Sequence, residues 1–231
     1  MKKKILLIIL CLCLALSAYA SDKAEDVKRK LTEQFTNFKI TDVIESEIPG
    51  LYEVVAGGNI MYSDGSYILM GHMFDFTGKD ITQEKINGLT AKMANQIDKS
   101  IALKVGSGKK EVIEITDPEC PYCLKAEEFF KDADVNRYIY FFPLSFHKNA
   151  ERLSVHILCS KDSATEYEKV LKAVSEGKAD SFKTDTCEAG KTTLKKMMDV
   201  AQQLGVRGTP FFIIDGKVIS GADPVIRQMI K

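Results

Sequence analysis

Two cysteines stand at the junction between a strand pattern and a helix pattern, and this junction constrains the fold of the chain more than any other feature. Residues 111–116 read EVIEIT, an apolar run with the β-branched residues typical of a buried strand. The motif CPYC follows at 120–123, and residues 123–133, CLKAEEFFKDA, have helical character. A strand that leads directly into a helix favours an α/β arrangement, in which helices cover a sheet.

The first twenty residues have the organisation of a secretory signal peptide. Three lysines at 2–4 precede the apolar run ILLIILCLCLAL, and the small residues AYA at 18–20 form a cleavage site. The alternative is a membrane anchor, but the run is shorter than the ~20 apolar residues that a spanning helix needs. We therefore predict a mature chain that begins at Ser21 and is exported.

The charge and the remaining cysteines limit the classes of function. Removal of the three leader lysines leaves 29 basic against 32 acidic side chains, a net charge of −3, which does not favour a nucleic-acid partner. Cys11 and Cys13 leave with the leader, so four cysteines remain in the mature chain. Exported proteins meet an oxidising compartment, and these cysteines are therefore interpreted first as disulfide chemistry.

The cysteine pair at 120–123 could bind a metal, cross-link the fold or exchange electrons. A structural zinc site needs four ligands, but Cys159 and Cys187 are 28 residues apart and no second CxxC exists, so we predict no metal and no cofactor. A local cross-link closes a ring with only two residues between its cysteines and removes little chain entropy. Electron exchange is the interpretation that the position of the pair favours.

Residues 21–82 form the first predicted domain, of the α+β class. Residues 21–38 have apolar side chains four apart, which predicts an amphipathic helix, and 39–82 contain short alternating runs separated by turn residues, which predict an antiparallel sheet. About 60 residues bury a small core and leave strand edges exposed. We expect this domain to gain stability by pairing, as a dimerisation domain.

Residues 83–105 are predicted to form a linker helix between two domains. The alternative is an ordinary helix that packs on the first sheet. The segment GSGKK at 106–110 then marks a flexible boundary.

Residues 106–231 form the second predicted domain, of the α/β class. The strand and helix around the cysteine pair are followed by the strand RYIYFFPLSF, a helical insertion at about 148–205, and two strands around the turn Asp215-Gly216.

A cysteine at a helix N-terminus is suited to nucleophilic attack. Unpaired backbone N–H groups and the helix dipole favour its thiolate and lower its pKa from ~8.5 to between ~3.5 and ~7 in such motifs. We predict that Cys120 is the exposed nucleophile, which forms a mixed disulfide with a substrate, and that Cys123 is the shielded cysteine that resolves it.

Nearby acids can move the protons of this reaction or oppose it. Glu114, six residues before Cys120, is predicted to be a buried catalytic acid that accepts the proton of Cys123; the alternative is a solvated glutamate on an open strand face. Asp117 and Glu119 would place negative charge close to the nucleophile and oppose thiolate formation. His72, His147 and His156 are candidate catalytic bases, but none has the right neighbourhood for that role, and only His147, after the strand pattern, could lie near the site.

The order of these motifs resembles a known family. The segment GVRGTP at 205–210 before the strand FFIID resembles the thioredoxin fold. Together with DPECPYCLK at 117–125 and two further cysteines in the helical insertion, it makes the whole mature chain similar to the periplasmic disulfide isomerases of the DsbC/DsbG family. The resemblance implies an α+β dimerisation domain followed by a thioredoxin-like α/β domain with a helical insertion.

The resemblance also implies roles for particular residues. Pro210 is expected to be cis and Thr209 to contact the substrate, together with Pro121 and Tyr122 of the motif. Cys159 and Cys187 fall where the family has a structural disulfide. The family more often has Gly-Tyr between its active cysteines, whereas Pro-Tyr is familiar from glutaredoxins, and this departure leaves the redox poise open.

The activity implied is isomerisation of wrong disulfides in exported proteins of the periplasm by a homodimer. The partners would be misfolded proteins that contain disulfides and a membrane reductase of the DsbD kind, which keeps the motif reduced. The alternatives are a periplasmic disulfide oxidase or reductase, and a chaperone that mainly binds its clients.

Overall fold

The chain forms two compact units, divided between Ile86 and Asn87. The computed structural model describes residues 23–36 and 39–231, so the predicted signal peptide lies outside the described residues. Within these residues no helix has both the length and the apolar character to cross a membrane.

The first unit packs one helix on an antiparallel sheet. Helix α1 covers 23–34, and its Val27 and Leu31, which are one turn apart, are buried with apolar residues of the sheet. The strand order is β1-β2-β3-β4. The strands are β1 (Ile40–Glu45), β2 (Tyr52–Ala56), β3 (Asn59–Ser63) and β4 (Ile68–Leu69).

Residues 66–82, which the sequence predicted as a strand, are mostly irregular. Strand β4 has only two residues, and an isolated bridge joins Phe74 to Asp80. The cause is a local turn in which Asp75 Oδ1 accepts hydrogen bonds from the backbone N–H groups of Thr77 and Lys79. A side chain that satisfies its own neighbouring backbone competes with strand pairing.

The predicted linker helix over 83–105 is shorter in the structure. Helix α2 (Ile81–Ala94) is followed by a 3-10 turn (Lys99–Ile101), which Asp98 caps by accepting a hydrogen bond from Ser100 N. Strand β5 (Leu103–Val105) then pairs with the second sheet. Leu103 and Val105, which fall within the predicted helix, belong to this strand instead. The domain limits 21–82, 83–105 and 106–231 remain predictions.

The second unit is built on a five-stranded sheet with the order β5-β7-β6-β8-β9. Strands β6 and β7 are parallel and are connected by helix α3, and the other pairs are antiparallel. Asp215 and Gly216 both have positive φ, as a two-residue hairpin turn between β8 and β9 requires. The elements are β6 (Lys110–Thr116), α3 (Pro121–Phe130), β7 (Val135–Phe141), β8 (Phe211–Ile214) and β9 (Lys217–Ser220).

Helices cover both faces of this sheet and bury its central strand β6. Ile113 and Ile115 pack in the larger core with residues of the helical insertion, whereas Val112 packs on the opposite face with residues of α3 and α7. Side chains alternate along a strand, so Glu114 and Thr116 share the face of Val112. The helices are α4 (Ala150–Cys159), α5 (Ser163–Ser175), α6 (Glu188–Gln203) and α7 (Ile226–Met229).

Candidate active site

The two cysteines of the motif begin helix α3, just beyond the end of the central strand. Cys120 is the N-cap residue, and Pro121 occupies the first turn, where its missing N–H costs no helical hydrogen bond. The Cys120 carbonyl accepts hydrogen bonds from Cys123 N at 3.0 Å and Leu124 N at 3.1 Å. Both thiols are free, with no disulfide to another cysteine of the described residues.

The environment of Cys120 favours its thiolate. A hydrogen bond from the Cys123 thiol lowers the pKa of Cys120 to about 5, assisted by the Cys123 backbone N–H and opposed by burial. The sequence predicted an exposed nucleophile, but Cys120 is only 3% exposed. Its sulfur lies 3.5 Å from the carbonyl oxygen of Thr209, so the loop before β8 lies against it.

Cys123 has the opposite character. Burial raises its pKa above the ordinary value, and the neighbouring Cys120 sulfur raises it further. Its side chain is 1% exposed, and the backbone N–H of Asp117 points at its sulfur at 3.5 Å. At neutral pH this cysteine is therefore a protonated thiol beneath a thiolate.

The remaining predicted substrate contacts are Pro210, which follows Thr209, and Pro121 and Tyr122, which follow Cys120. The Thr209–Pro210 peptide bond is cis, and the Pro210 carbonyl accepts a hydrogen bond from Gly221 N at 2.8 Å. Pro121 and Tyr122 are exposed at the start of α3. The structure thus brings Cys120 and Thr209 together and leaves the side chain of Tyr122, two residues after Cys120, open to solvent.

Glu114 is buried, contrary to the alternative of a solvated glutamate. Its Oε2 accepts hydrogen bonds from Arg137 Nε at 2.9 Å and Nη2 at 2.7 Å. Arg137 also binds Glu127 of α3, which in turn accepts a hydrogen bond from the hydroxyl of Tyr167 at 2.6 Å. Burial raises the pKa of Glu114 to about 7, although the Arg137 charge opposes the shift.

Asp117 and Glu119 are held by the loop that precedes α4. Asp117 Oδ2 accepts a hydrogen bond from Leu144 N and pairs with His147 Nδ1, both at 2.8 Å. Glu119 accepts from the backbone and side-chain nitrogens of Asn149 at 2.6 and 2.7 Å. His147 lies near the site, because the backbone N–H of its partner Asp117 points at the Cys123 sulfur.

Sequence reasoning missed two of these partners and one exposed aromatic residue of the same loop. Arg137 stood at the start of a predicted strand, 23 residues from Glu114, and Asn149 is 30 residues from Glu119. Phe146, beside His147, is a large exposed apolar residue on the same loop. No local pattern marks such pairings, although a charged residue within a buried strand, as Arg137 is, indicates that a buried partner exists.

The other two cysteines form a disulfide bond between two helices of the insertion. Cys159, the last residue of α4, is bonded to Cys187, the N-cap of α6, with a Cα–Cα distance of 5.8 Å. Gly190 packs against this bond, since an added Cβ would lie 2.5 Å from the Cys159 sulfur. No group of side chains suited to a metal ion occurs in the described ranges.

Comparison with known proteins agrees with this organisation. The model of the disulfide bond isomerase protein N-terminal domain matches residues 17–83, and a thioredoxin-like domain model matches residues 97–225. The chain belongs to the DsbC/DsbG family of thioredoxin-like proteins. The predicted fold class, an α+β N-terminal domain followed by a thioredoxin-like α/β domain, is confirmed.

The relatives that match this chain are named for thiol:disulfide interchange. A probable thiol:disulfide interchange protein DsbC of Bordetella parapertussis is 27% identical over 216 residues, which cover 90% of this chain and 74% of the relative. Its counterpart in Bordetella avium is 29% identical over 206 residues, which cover 86% and 70%. The crystal structure of a disulfide interchange protein from Neisseria gonorrhoeae has 25% identity and a TM-score of 0.48, and covers 58% of this chain and 99% of that one. Membership of the family makes the chain an enzyme of the thiol:disulfide interchange class.

Proposed function

We propose that this enzyme isomerises wrong disulfides in exported proteins, with Cys120 as nucleophile and Cys123 as resolving thiol. The observation that carries the proposal is the difference between two adjacent buried sulfurs at a helix N-terminus, one favoured as thiolate and the other as thiol. A thiolate is the species that attacks a disulfide, and a protonated neighbour does not compete with it.

The first step joins enzyme and client. The Cys120 thiolate attacks one sulfur of a client disulfide, forms a mixed disulfide and releases the second client sulfur as a thiolate. The Thr209 carbonyl beside the Cys120 sulfur supports a contact with the client backbone, and exposed Tyr122 offers an apolar contact next to it. The Thr209–Pro210 segment, Pro121 and Tyr122 would in this way form the client-binding rim.

The mixed disulfide then has two outcomes. Attack by another client thiol forms a new client disulfide and regenerates Cys120, which is isomerisation. Attack by Cys123 instead oxidises the motif and releases a reduced client, and Glu114 takes up the proton that Cys123 loses. A membrane reductase of the DsbD kind would then return the motif to its dithiol form.

The exposed apolar surface of the N-terminal unit supports the proposal that the protein is a homodimer. The proposed place of action of this homodimer is the periplasm. Large apolar side chains are exposed on the segment that follows β3, within the match to the isomerase N-terminal domain. A second copy would cover them. The exposed residues of this segment are Tyr67, Leu69, Met70, Phe74 and Phe76. The same residues favour a second function, in which the protein binds unfolded clients as a chaperone.

The test is refolding of scrambled ribonuclease by the reduced protein and its cysteine variants. Cys120→Ser should abolish the recovery of ribonuclease activity, because no mixed disulfide forms. Cys123→Ser should retain part of the recovery but accumulate covalent complexes with ribonuclease on non-reducing gels, since it cannot release trapped clients.

Comparison with reduction of insulin separates the alternatives. A protein that reduces insulin rapidly but leaves ribonuclease scrambled is a reductase, and the isomerase proposal would then be abandoned. Suppression of aggregation that survives in Cys120→Ser would establish the chaperone function separately.

A further inference from the structure

The hydroxyl of Thr116 occupies a buried position between the catalytic thiol and the buried acid. Thr116 ends β6 and is completely buried, and its side chain shares a sheet face with that of Glu114, two residues earlier. The next residue, Asp117, directs its backbone N–H at the Cys123 sulfur. The strand thus places Thr116 between the carboxyl of one residue and the thiol of the other.

This hydroxyl has no structural role that the described residues reveal. Its oxygen has no hydrogen-bond partner of good geometry among them, which is unusual for a buried polar atom. A valine has nearly the same shape and would fill the position without leaving a polar atom unsatisfied. An unsatisfied buried hydroxyl beside two titratable groups therefore indicates a function.

Both neighbours respond to the hydroxyl. Burial is the largest influence on the pKa of Glu114 and of Cys123 and raises both, and the Thr116 hydroxyl opposes the rise in each case. The geometry agrees, because Thr116 shares a strand face with Glu114 and the next backbone N–H along the chain lies 3.5 Å from the Cys123 sulfur. Rotation about one side-chain bond would turn its hydrogen from one to the other.

The acid at the end of this path is held in a charged cluster. Arg137 of β7 binds Glu114, Glu127 of α3 binds the opposite side of the guanidinium, and Tyr167 of α5 donates to Glu127. Two carboxylates share one guanidinium, so the cluster can take up one proton without losing its ion pairing. The groups that face Cys123 are the Cys120 sulfur and the Asp117 N–H.

We infer that Thr116 relays the proton between Cys123 and Glu114 when Cys123 attacks the mixed disulfide. The inference rests on the proposed roles of Cys120 and Cys123. In this step the Cys123 sulfur bonds to the Cys120 sulfur, and the bond from Cys120 to the client sulfur breaks, so the client leaves as a thiolate. The Cys123 proton passes to Thr116 Oγ1 while the hydroxyl proton of Thr116 passes to the Glu114 carboxylate, which becomes a neutral acid.

The two thiols can be followed separately with dithiobis(nitrobenzoate). Cys120 attacks this aromatic disulfide and releases one coloured thiolate, at a rate proportional to the reagent concentration. Cys123 then displaces the second, at a rate independent of that concentration. With enough reagent the first phase is faster than the second, and the second phase reports the attack by Cys123, which is the step that includes the proposed proton transfer.

Thr116→Val should slow the second phase at least tenfold at pH 7 and change the first by less than twofold, because general acid–base catalysis contributes ~10²–10⁴-fold. Thr116→Ser, which restores a hydroxyl, should return the second phase to within threefold of the unmodified protein. Thr90→Val is the matched control, since it removes another buried hydroxyl, one that donates to Leu204 O, and should leave both phases unchanged.

The pH profile gives a second measurement for any variant that folds, including Thr116→Ala. Glu114 accepts a proton only as a carboxylate, so the second phase should accelerate as pH rises through about 7. The Thr116 variants without a hydroxyl should lose this acceleration. The relay would be overturned if the second phase of Thr116→Val ran within twofold of the rate in the unmodified protein. It would also be overturned if that phase still accelerated as pH rises through about 7. An absent first phase would instead refute the proposed role of Cys120.

Discussion

At the scale of single residues, the position of a sulfur relative to the start of α3 decides its chemistry. Cys120 is the N-cap and receives hydrogen bonds that stabilise a negative sulfur, whereas Cys123 lies one turn further in and is buried beneath it. The two residues are chemically identical and three positions apart. Their pKa values nevertheless shift in opposite directions.

This difference predicts how the reduced protein reacts with iodoacetamide. The rate of Cys120 alkylation, mapped by mass spectrometry, should rise with pH to half its maximum near pH 5, the pKa of its thiol. Cys123 should stay unlabelled through neutral pH. Because the Cys123 thiol is the largest cause of the lowered pKa, Cys123→Ala should move the midpoint to higher pH. A midpoint near the free-thiol value of ~8.5 in the unmodified protein would contradict the assignment.

At the scale of elements, the disulfide and a glycine fix how two helices of the insertion meet. Cys159 ends α4 and Cys187 begins α6, and Gly190 in the first turn of α6 packs directly on the bond. An alanine Cβ there would lie 2.5 Å from the Cys159 sulfur and 3.0 Å from the carbonyl oxygen of Val155. Neither neighbour can retreat without moving a helix.

Gly190→Ala should therefore lower the free energy of unfolding by about 1–3 kcal/mol, the usual cost of overpacking. The measurement is urea unfolding of the oxidised protein. In a Cys159→Ala and Cys187→Ala background the closest obstacle is absent, so the same substitution should cost less. An equal loss in both backgrounds would show that the sulfur is not the cause.

Gly88→Ala is the matched control for this experiment. It also lies in a helix, α2, but apart from its chain neighbours and its own helix backbone no atom of the described residues lies within 4 Å of its added Cβ. The substitution should raise stability by up to about 1 kcal/mol through helix propensity.

Elements whose side chains are buried on both faces were predictable from sequence. Strands β6, β7 and β8 are apolar runs, and the Asp215-Gly216 turn fixes the last hairpin. Strand β5 was predicted as helix because its three residues owe their conformation to pairing with β7, a partner more than 30 residues away. Long-range pairing of this kind leaves no local pattern.

The candidate site also has features that could be predicted from local sequence and features that could not. The positions of Cys120 and Cys123 follow from a local strand-to-helix junction and could be predicted. The partners of Glu114, Asp117 and Glu119 depend on strand order and on the loop before α4, and they could not. The sequence also carried no sign that Asp117 and Glu119, the two acids expected to oppose the Cys120 thiolate, accept hydrogen bonds from that loop.

At the scale of the whole molecule, the proposed dimer concerns the first unit. Strand β4 is an edge strand of two residues, and its second residue, Leu69, and the following Met70 are among the exposed apolar residues. An open edge with apolar neighbours favours association with another edge. Two copies of the same surface can meet across a two-fold axis.

Light scattering of the mature protein at micromolar concentration should give twice the mass of one chain. Leu69→Asp combined with Met70→Asp should give the monomer mass, because a buried charge opposes association. Val225→Asp, a charge at an exposed apolar position of the second unit, is the control and should leave the dimer intact. A monomer mass for the unmodified protein would contradict the dimer.

The connectivity of the disulfide bears on how this protein is made. Four cysteines can be paired in three ways, and only one of these joins neighbours in chain order, 120 with 123 and 159 with 187. Because Cys159 and Cys187 are bonded to each other, Cys120 can pair within the mature chain only with Cys123, which gives this same order. The export that we propose would carry the chain across a membrane from its N-terminus and present its cysteines to an oxidant in this same order. Oxidation during translocation would then yield the native bonds without rearrangement, so the first molecule in a cell would need no earlier copy to correct it.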